Sequence, residues 1–336
     1  MPDRLEVTKT YKLYIDGKFP RSESGRSVAA TDAGGRVFAH CCRASRKDLR
    51  DAVSAARKAQ PGWRDATAYL RAQIMYRMAE MLEGKRDEFV RALSEAGAKT
   101  NVRASSKVGK SKDPLAYARG WLKPEAEVAA SIDRLVAFAG WADKYAQVLG
   151  CNNAVAGPYY NFTVPEPTGV VGVLAPDEPA LLGLISLVAP PLCAGNTIVA
   201  LGGQSAAGLL VTSIFAEVVA TSDVPGGVVN LLTGDRAELI PFFSSHRDID
   251  ALHAISGPGG VSAEQAAVLR AGAAENLKRV SVREMASGAK AGKNSGALGQ
   301  AQGHAGIELL DARTCQSPWW IESFVEMKTI WHPSAT

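Results

Sequence analysis

The sequence has no Cys-x-x-Cys pair, no histidines at i and i+4, no long run of like charge and no unbroken apolar stretch of membrane length. Each absence removes a class of protein. Five cysteines, Cys41, Cys42, Cys151, Cys193 and Cys315, are odd in number and irregularly spaced, which argues against a disulfide framework and predicts a reducing, cytoplasmic compartment. The five histidines, His40, His246, His253, His304 and His332, have no neighbouring set of cysteines and carboxylates, so no metal site is expected. With 38 basic and 34 acidic residues the formal charge is +4 and dispersed, and nucleic acid is not an expected partner. The N-terminal MPDRLEVTKTYKLYIDGKF lacks an apolar core of signal-peptide length. The most apolar stretch, residues 170–201, is interrupted by Pro176, Asp177, Glu178, Pro179, Pro190 and Pro191, so no membrane partner is expected.

What is present is an ordinary globular composition. The 336 residues, 46% of them hydrophobic, can bury the core of two domains or of one large α/β domain with an appendage. Residues 11–39 read as short strands and turns. Ser45 and Asp48 form a capping-box pattern ahead of a helix with Leu49, Val53 and Ala56 on one face, which Pro61-Gly62 should end. Ile74, Met78, Met81 and Leu82 mark a second helical stripe that Phe89 and Leu93 continue to Gly97. Residues 98–115 are polar, basic and aperiodic, as in a solvated surface loop. Residues 125–145 predict a third helix, and PYYNFTVPEP, bounded by prolines, predicts an exposed arm or hairpin.

From Gly169 the pattern changes. VVGVL (170–174), TIVAL (197–201), VVNLL (228–232), LHAI (252–255) and KRVSV (278–282) are apolar runs of strand length, separated by segments long enough for helices. This alternation predicts βαβ units, a mostly parallel sheet covered on both faces, and a doubly wound nucleotide-binding fold of the α/β class. Residues 287–306 then have the Gly, Ala, Lys and Gln composition of a linker. SPWWIESFVEMKTIWHP regains alternation, and a C-terminal strand is expected there.

Several segments in order, LYIDGKF, ASRKDLRDAVSAARKAQPGW, AFAGWADKY, EPTGVVGVLAP, APPLCAGNTIV, VPGGVVNLLTG, LKRV and EMKTIWHP, resemble the NAD(P)-dependent aldehyde dehydrogenase superfamily. The resemblance runs from about residue 11 to 282 and again from about 319 to 333. It implies a Rossmann-like fold with an N-terminal helical part and a β oligomerisation arm. The layout it suggests is 1–150 packing on the nucleotide domain, 151–168 as an arm hairpin, 169–286 as that domain, 287–317 as a linker and 318–336 as an arm strand.

The residues that the resemblance assigns to chemistry are altered. The family's Pro-Trp-Asn turn, whose asparagine donates to the oxyanion, is here Pro176-Asp177-Glu178, placing carboxylates where a donor is needed. Asp177 or Glu178 is expected instead to cap the following helix. Lys-Pro-Ser-Glu becomes Leu201-Gly202-Gly203-Gln204, so a cationic cofactor contact is lost although Gln204 keeps hydrogen-bonding capacity. Ala175, Pro176, Gln204, Ser256, Gly257 and Gly259 are the cofactor-binding candidates. Their glycine-rich turn suits a phosphate, or simply a short connection. The base position is Arg283, with Glu284 one residue out of register. Cys315 is the nucleophile candidate, but it lacks the preceding Gly-Gln and has little chain left to build a pocket, and a bystander thiol at a linker's end is the favoured reading.

About 36 residues separate Val282 from Trp319, where a domain needs at least ~50. The chain therefore reads as a truncated, degenerate relative lacking most of a catalytic domain. The expected role is a non-catalytic scaffold or partner subunit, assembling with itself or with an active relative, with NAD or NADP bound weakly or not at all. The alternatives are an active oxidoreductase on aldehydes and a dinucleotide-binding module without chemistry.

Overall fold

The computed structural model describes residues 7–32, 34–97, 122–257, 259–285 and 309–334. The loop expected at 98–115 and the linker expected at 287–306 lie outside these residues.

Strands β1 (Lys9–Tyr11), β2 (Ser27–Thr31) and β3 (Val37–Cys42) form a small sheet in the order β1-β3-β2. YKLYI is a strand only in part: beyond Tyr11, Tyr14 and Ile15 make isolated bridges to Leu231 and Lys18. Helix α1 (Arg46–Asp65) opens with the expected capping box. The Ser45 hydroxyl accepts from the Asp48 N–H at 3.3 Å, and Asp48 accepts from the Ser45 N–H at 2.7 Å. Pro61 does not end this helix. Its last turn is held down by buried Trp63, whose indole N–H donates to the Leu192 carbonyl at 3.1 Å, and that docking outweighs the one helix bond that a proline removes.

The stripe through Ile74 and Leu93 is two helices, α2 (Ala68–Gly84) and α3 (Arg86–Gly97). They break at Lys85, whose ammonium bridges Glu88 and Glu217 at 2.8 and 2.7 Å. Helix α4 (Pro124–Trp141) stops short of the expected 145, and a turn leads into α5 (Tyr145–Leu149). Strands β4 (Cys151–Asn153) and β5 (Tyr159–Pro167) follow as an antiparallel pair.

The five apolar runs form one parallel sheet of β6 (Val170–Leu174), β7 (Thr197–Leu201), β8 (Val229–Leu232), β9 (Ala251–Ser256) and β10 (Arg279–Glu284), ordered β10-β9-β6-β7-β8. The crossovers are α6 (Ala180–Cys193), α7 (Ala206–Ala220), α8 (Arg236–Ser245) and α9 (Ala263–Gly272). Side chains alternate along each strand, so the sheet has two cores. Val171, Val173, Ile198, Ala200 and Leu231 face a cluster with α2, α4, α6 and α7. Val170, Leu174, Val199, Leu201 and Leu232 face one with α1 and α8. Every residue of α6 is buried, because helices cover it on one side and the sheet on the other. Gly227, ahead of β8, is required twice over: its φ is +83°, and a Cβ would stand 2.6 Å from the Ala55 carbonyl oxygen of α1.

The chain ends in α10 (Ala312–Cys315), α11 (Trp319–Glu322) and the expected C-terminal strand, β11 (Val325–Pro333). Strand β11 pairs antiparallel with β5, giving the arm sheet order β11-β5-β4. Leu309, Cys315, Trp320, Ile321 and Phe324 are buried in the cluster around α6.

Candidate functional site

The carboxyl ends of β6, β7, β8 and β9 converge on the crevice where open parallel sheets bind ligands. Four turns line it: Ala175-Pro176-Asp177 after β6, Gly202-Gly203-Gln204 after β7, Gly234-Asp235-Arg236 after β8, and the turn containing Ser256, Gly257, Gly259 and Gly260 after β9. A single guanidinium ties them together. Arg236, the first residue of α8, has a side chain only 3% exposed. It donates through Nη2 to the Ala175 carbonyl at 2.8 Å and through Nη1 to the Gly259 and Gly260 carbonyls, each at 3.1 Å. Nη2 also lies 3.0 Å from the Asp177 carboxylate. Burial pulls this guanidinium below the usual arginine range, and the Asp177 charge works against the shift.

Asp177 completes the junction. One carboxylate oxygen accepts from the backbone N–H groups of Gln204 at 2.5 Å and Ser205 at 3.0 Å, at the start of α7. Its own N–H donates to the Gly259 carbonyl at 2.7 Å. The Gln204 side-chain oxygen accepts from the Arg236 N–H at 2.7 Å. The expectation that Asp177 or Glu178 caps α6 is therefore not met. Asp177 is drawn to the neighbouring helix α7 and to Arg236, Glu178 is exposed, and Pro179 holds the N-cap position without a side-chain bond.

The cap of α6 comes from α4. Buried Glu127 accepts from the N–H groups of Leu181 and Leu182 at 2.7 and 3.2 Å. Burial pushes its carboxyl up to about 7, with the two backbone donors opposing and the Glu178 charge adding to the rise. Gly183 is needed beside this cap, since a Cβ there would overlap the Pro176 ring.

The six cofactor candidates, Ala175, Pro176, Gln204, Ser256, Gly257 and Gly259, all stand at the ends of β6, β7 and β9, and four of them make the contacts just described or flank them. The catalytic candidates stand elsewhere. Glu284 ends β10 and is exposed. Cys315 ends α10, fully buried in the apolar cluster, and burial pushes its thiol up to about 11 despite the opposing Arg134 and Arg283 charges. Cys193 is likewise a core residue, pushed up to about 12. Arg283, at the family's base position, lies over the Trp320 ring at 3.9 Å and donates from Nε to His253 Nε2 at 3.2 Å. His253 in turn lies 2.9 Å from the Leu187 carbonyl through Nδ1, which fixes the neutral Nδ1–H tautomer.

Sequence reasoning missed Arg236 and Glu127. A cation opening a helix runs against the helix dipole, and that was the one available signal for Arg236. Glu127 gave none, because an acidic first turn is ordinary and its partners lie 54 and 55 residues away.

The sheet order and the crevice define a doubly wound α/β protein with a dinucleotide-binding type of fold. The chain belongs to the aldehyde dehydrogenase family, whose family model matches residues 20–290. It is 29% identical over 289 residues to a putative aldehyde dehydrogenase, DhaS, of Bacillus subtilis (strain 168), covering 83% of this chain and 52% of that protein. A mitochondrial benzaldehyde dehydrogenase of Antirrhinum majus is 31% identical over 257 residues, 75% of this chain and 43% of its own length. An aldehyde dehydrogenase of Bacillus cereus, solved as its NAD+ complex, superposes with a TM-score of 0.69 at 24% identity over 82% of this chain and 51% of that one. The chain thus spans about half the length of the curated relatives it matches.

In the crevice as folded, several backbone donors that the phosphates of a dinucleotide would use are already paired. The Gln204 and Ser205 N–H groups at the α7 terminus are taken by Asp177. In the β9 turn, Gly260 N–H donates to the Gly257 carbonyl and Val261 N–H to that of Ile255, both at 2.9 Å. The β6 and β7 turns approach closely at Gly203, where a Cβ would stand 2.7 Å from the Pro176 carbonyl oxygen.

Proposed function

We propose that this chain is a non-catalytic member of its family, a scaffold or partner subunit that assembles in the cytoplasm with copies of itself or with an active relative. It binds NAD or NADP weakly or not at all. One observation carries the reading: Glu178, an exposed acid, stands where the family's Pro-Trp-Asn turn places its oxyanion donor, and its neighbour Asp177 is an acceptor bonded to Gln204, Ser205 and Arg236. Burial of Cys315 adds support, since a thiol held near 11 is protonated at neutral pH and a poor nucleophile.

In this reading residues 1–150 brace the nucleotide-type domain at 169–286. Residues 151–168 and 318–336 supply the arm, and 287–317 stand in place of a catalytic domain. The arm offers partners an antiparallel sheet with β4 and β11 at its edges and with Tyr159, Tyr160, Met327 and Trp331 exposed.

The test has two arms. Light scattering at micromolar concentration, alone and mixed with a complete family member, is expected to show an oligomer; a monomer that also captures no relative would overturn the scaffold. Assays with simple aldehydes and NAD+ or NADP+ are expected to produce no NADH or NADPH. Reduced cofactor that disappears on Cys315→Ala would establish an active oxidoreductase instead.

A further inference from the structure

We propose that Arg236 and Asp177 form an internal latch that takes the place of a dinucleotide, closing the crevice by joining the turns after β6, β7, β8 and β9. The inference deepens the weak cofactor binding proposed above by naming the residues responsible. It does not depend on whether the chain is a scaffold.

A dinucleotide brings two things to such a crevice: negative charge for the backbone donors at helix N-termini, and bulk between the turns. Here the chain supplies both. The Asp177 carboxylate is the anion at the α7 terminus, bonded to the Gln204 and Ser205 N–H groups. The Arg236 guanidinium is the bulk, reaching from α8 across the sheet end to carbonyls 61, 23 and 24 residues distant in sequence. The two charges face each other at 3.0 Å, so the closed crevice is locally neutral.

The contacts run in a closed circuit. Arg236 holds Ala175, Asp177, Gly259 and Gly260, Asp177 holds Gln204, Ser205 and Gly259, and Gln204 returns to the Arg236 backbone. Within this circuit the buried Arg236 Nε has no hydrogen-bond partner. With the Gln204 and Ser205 N–H groups and the guanidinium already paired, a phosphate finds these donors occupied until the Asp177 carboxylate is displaced. Removal of the Asp177 carboxylate would free the Gln204 and Ser205 N–H groups and leave the Arg236 cation beside them, a set of donors suited to the diphosphate of an adenine nucleotide.

The experiment compares the wild type with Asp177→Ala, which frees the two N–H groups, and with Asp177→Asn, which removes the charge but keeps an acceptor if the first fails to fold. Each protein is titrated with NAD+ and with ADP by calorimetry, with the backbone amide resonances of Gln204, Ser205, Gly259 and Gly260 followed in parallel. The wild type is expected to show no shift at these amides at micromolar nucleotide, and a folded Asp177 variant is expected to bind ADP at least tenfold more tightly, with shifts there. Micromolar wild-type binding that moves these amides overturns the latch, even if neither variant folds. So does a folded variant that binds no better than wild type. Neither result bears on assembly or on aldehyde turnover, which the preceding test reads separately.

Discussion

At the scale of single residues, the chain uses its buried charges as connectors. Glu127 illustrates the energetics. Its folded-state carboxyl is raised to about 7 from 4.5, so the native state holds more protons than the unfolded chain between those values and loses stability as pH rises through them. The effect is on the order of 3 kcal/mol. His253 acts in the opposite direction. Burial, with the Arg283 charge second, holds it well below 6.5, so it stabilises the fold above that value and loses its contribution as pH falls. The two oppose each other between pH 4.5 and 6.5. Glu127→Gln keeps an oxygen for the Leu181 and Leu182 N–H groups but removes the titration. In urea melts across pH, the variant should lose stability more steeply on acidification below pH 6.5 than the wild type, and should not share its decline towards pH 7. Parallel profiles would show that Glu127 is already ionised throughout.

At the scale of elements, α1 shows what local sequence decides and what it does not. Its start was legible in Ser45 and Asp48, because a capping box is closed by residues three apart. Ser45→Ala removes the hydroxyl that accepts the Asp48 N–H and should cost about 1 kcal/mol, read as a lower urea midpoint with an unchanged slope. The end of α1 was not legible. Pro61 is a local stop signal, overruled by the bond from Trp63 to Leu192, 129 residues away. The same logic divides α2 from α3 at Lys85, where a long-range ion pair to Glu217 sits at a break that the apolar stripe by itself conceals.

At the scale of the whole molecule, the core is shared rather than partitioned. One cluster runs from Trp63 and Met78 through α4 and α6 to Trp320 and Phe324. Buried Asn196 ties three segments, accepting from the Gly169 N–H at 2.8 Å and donating to the Pro191 and Phe324 carbonyls at 2.9 and 3.0 Å. Arg134 of α4 holds Ser186 of α6 and the Leu309 carbonyl, each at 2.6 Å. The N-terminal helices, the parallel sheet and the C-terminal segment should therefore unfold together. Variants retaining only Trp63 or only Trp320 as fluorescent reporters should give coincident denaturant transitions. Separated midpoints would mean that the C-terminal segment docks on an independently stable body. No helix among the described residues is long and apolar enough to cross a membrane.

The sequence by itself determined the strand and helix order from Gly169 onward, because an unbroken apolar run such as VVGVL or TIVAL is a local pattern that suits a strand in a sheet covered on both faces. It also located the crevice, since the turns after successive parallel strands must gather at one sheet end. Only the tertiary structure decided which charges meet there. Asp177 serves α7 and Arg236 rather than α6, and Glu127 caps α6 from another helix. These pairings join residues dozens of positions apart, and a side chain's partner is chosen by distance in space, which no spacing along the chain encodes.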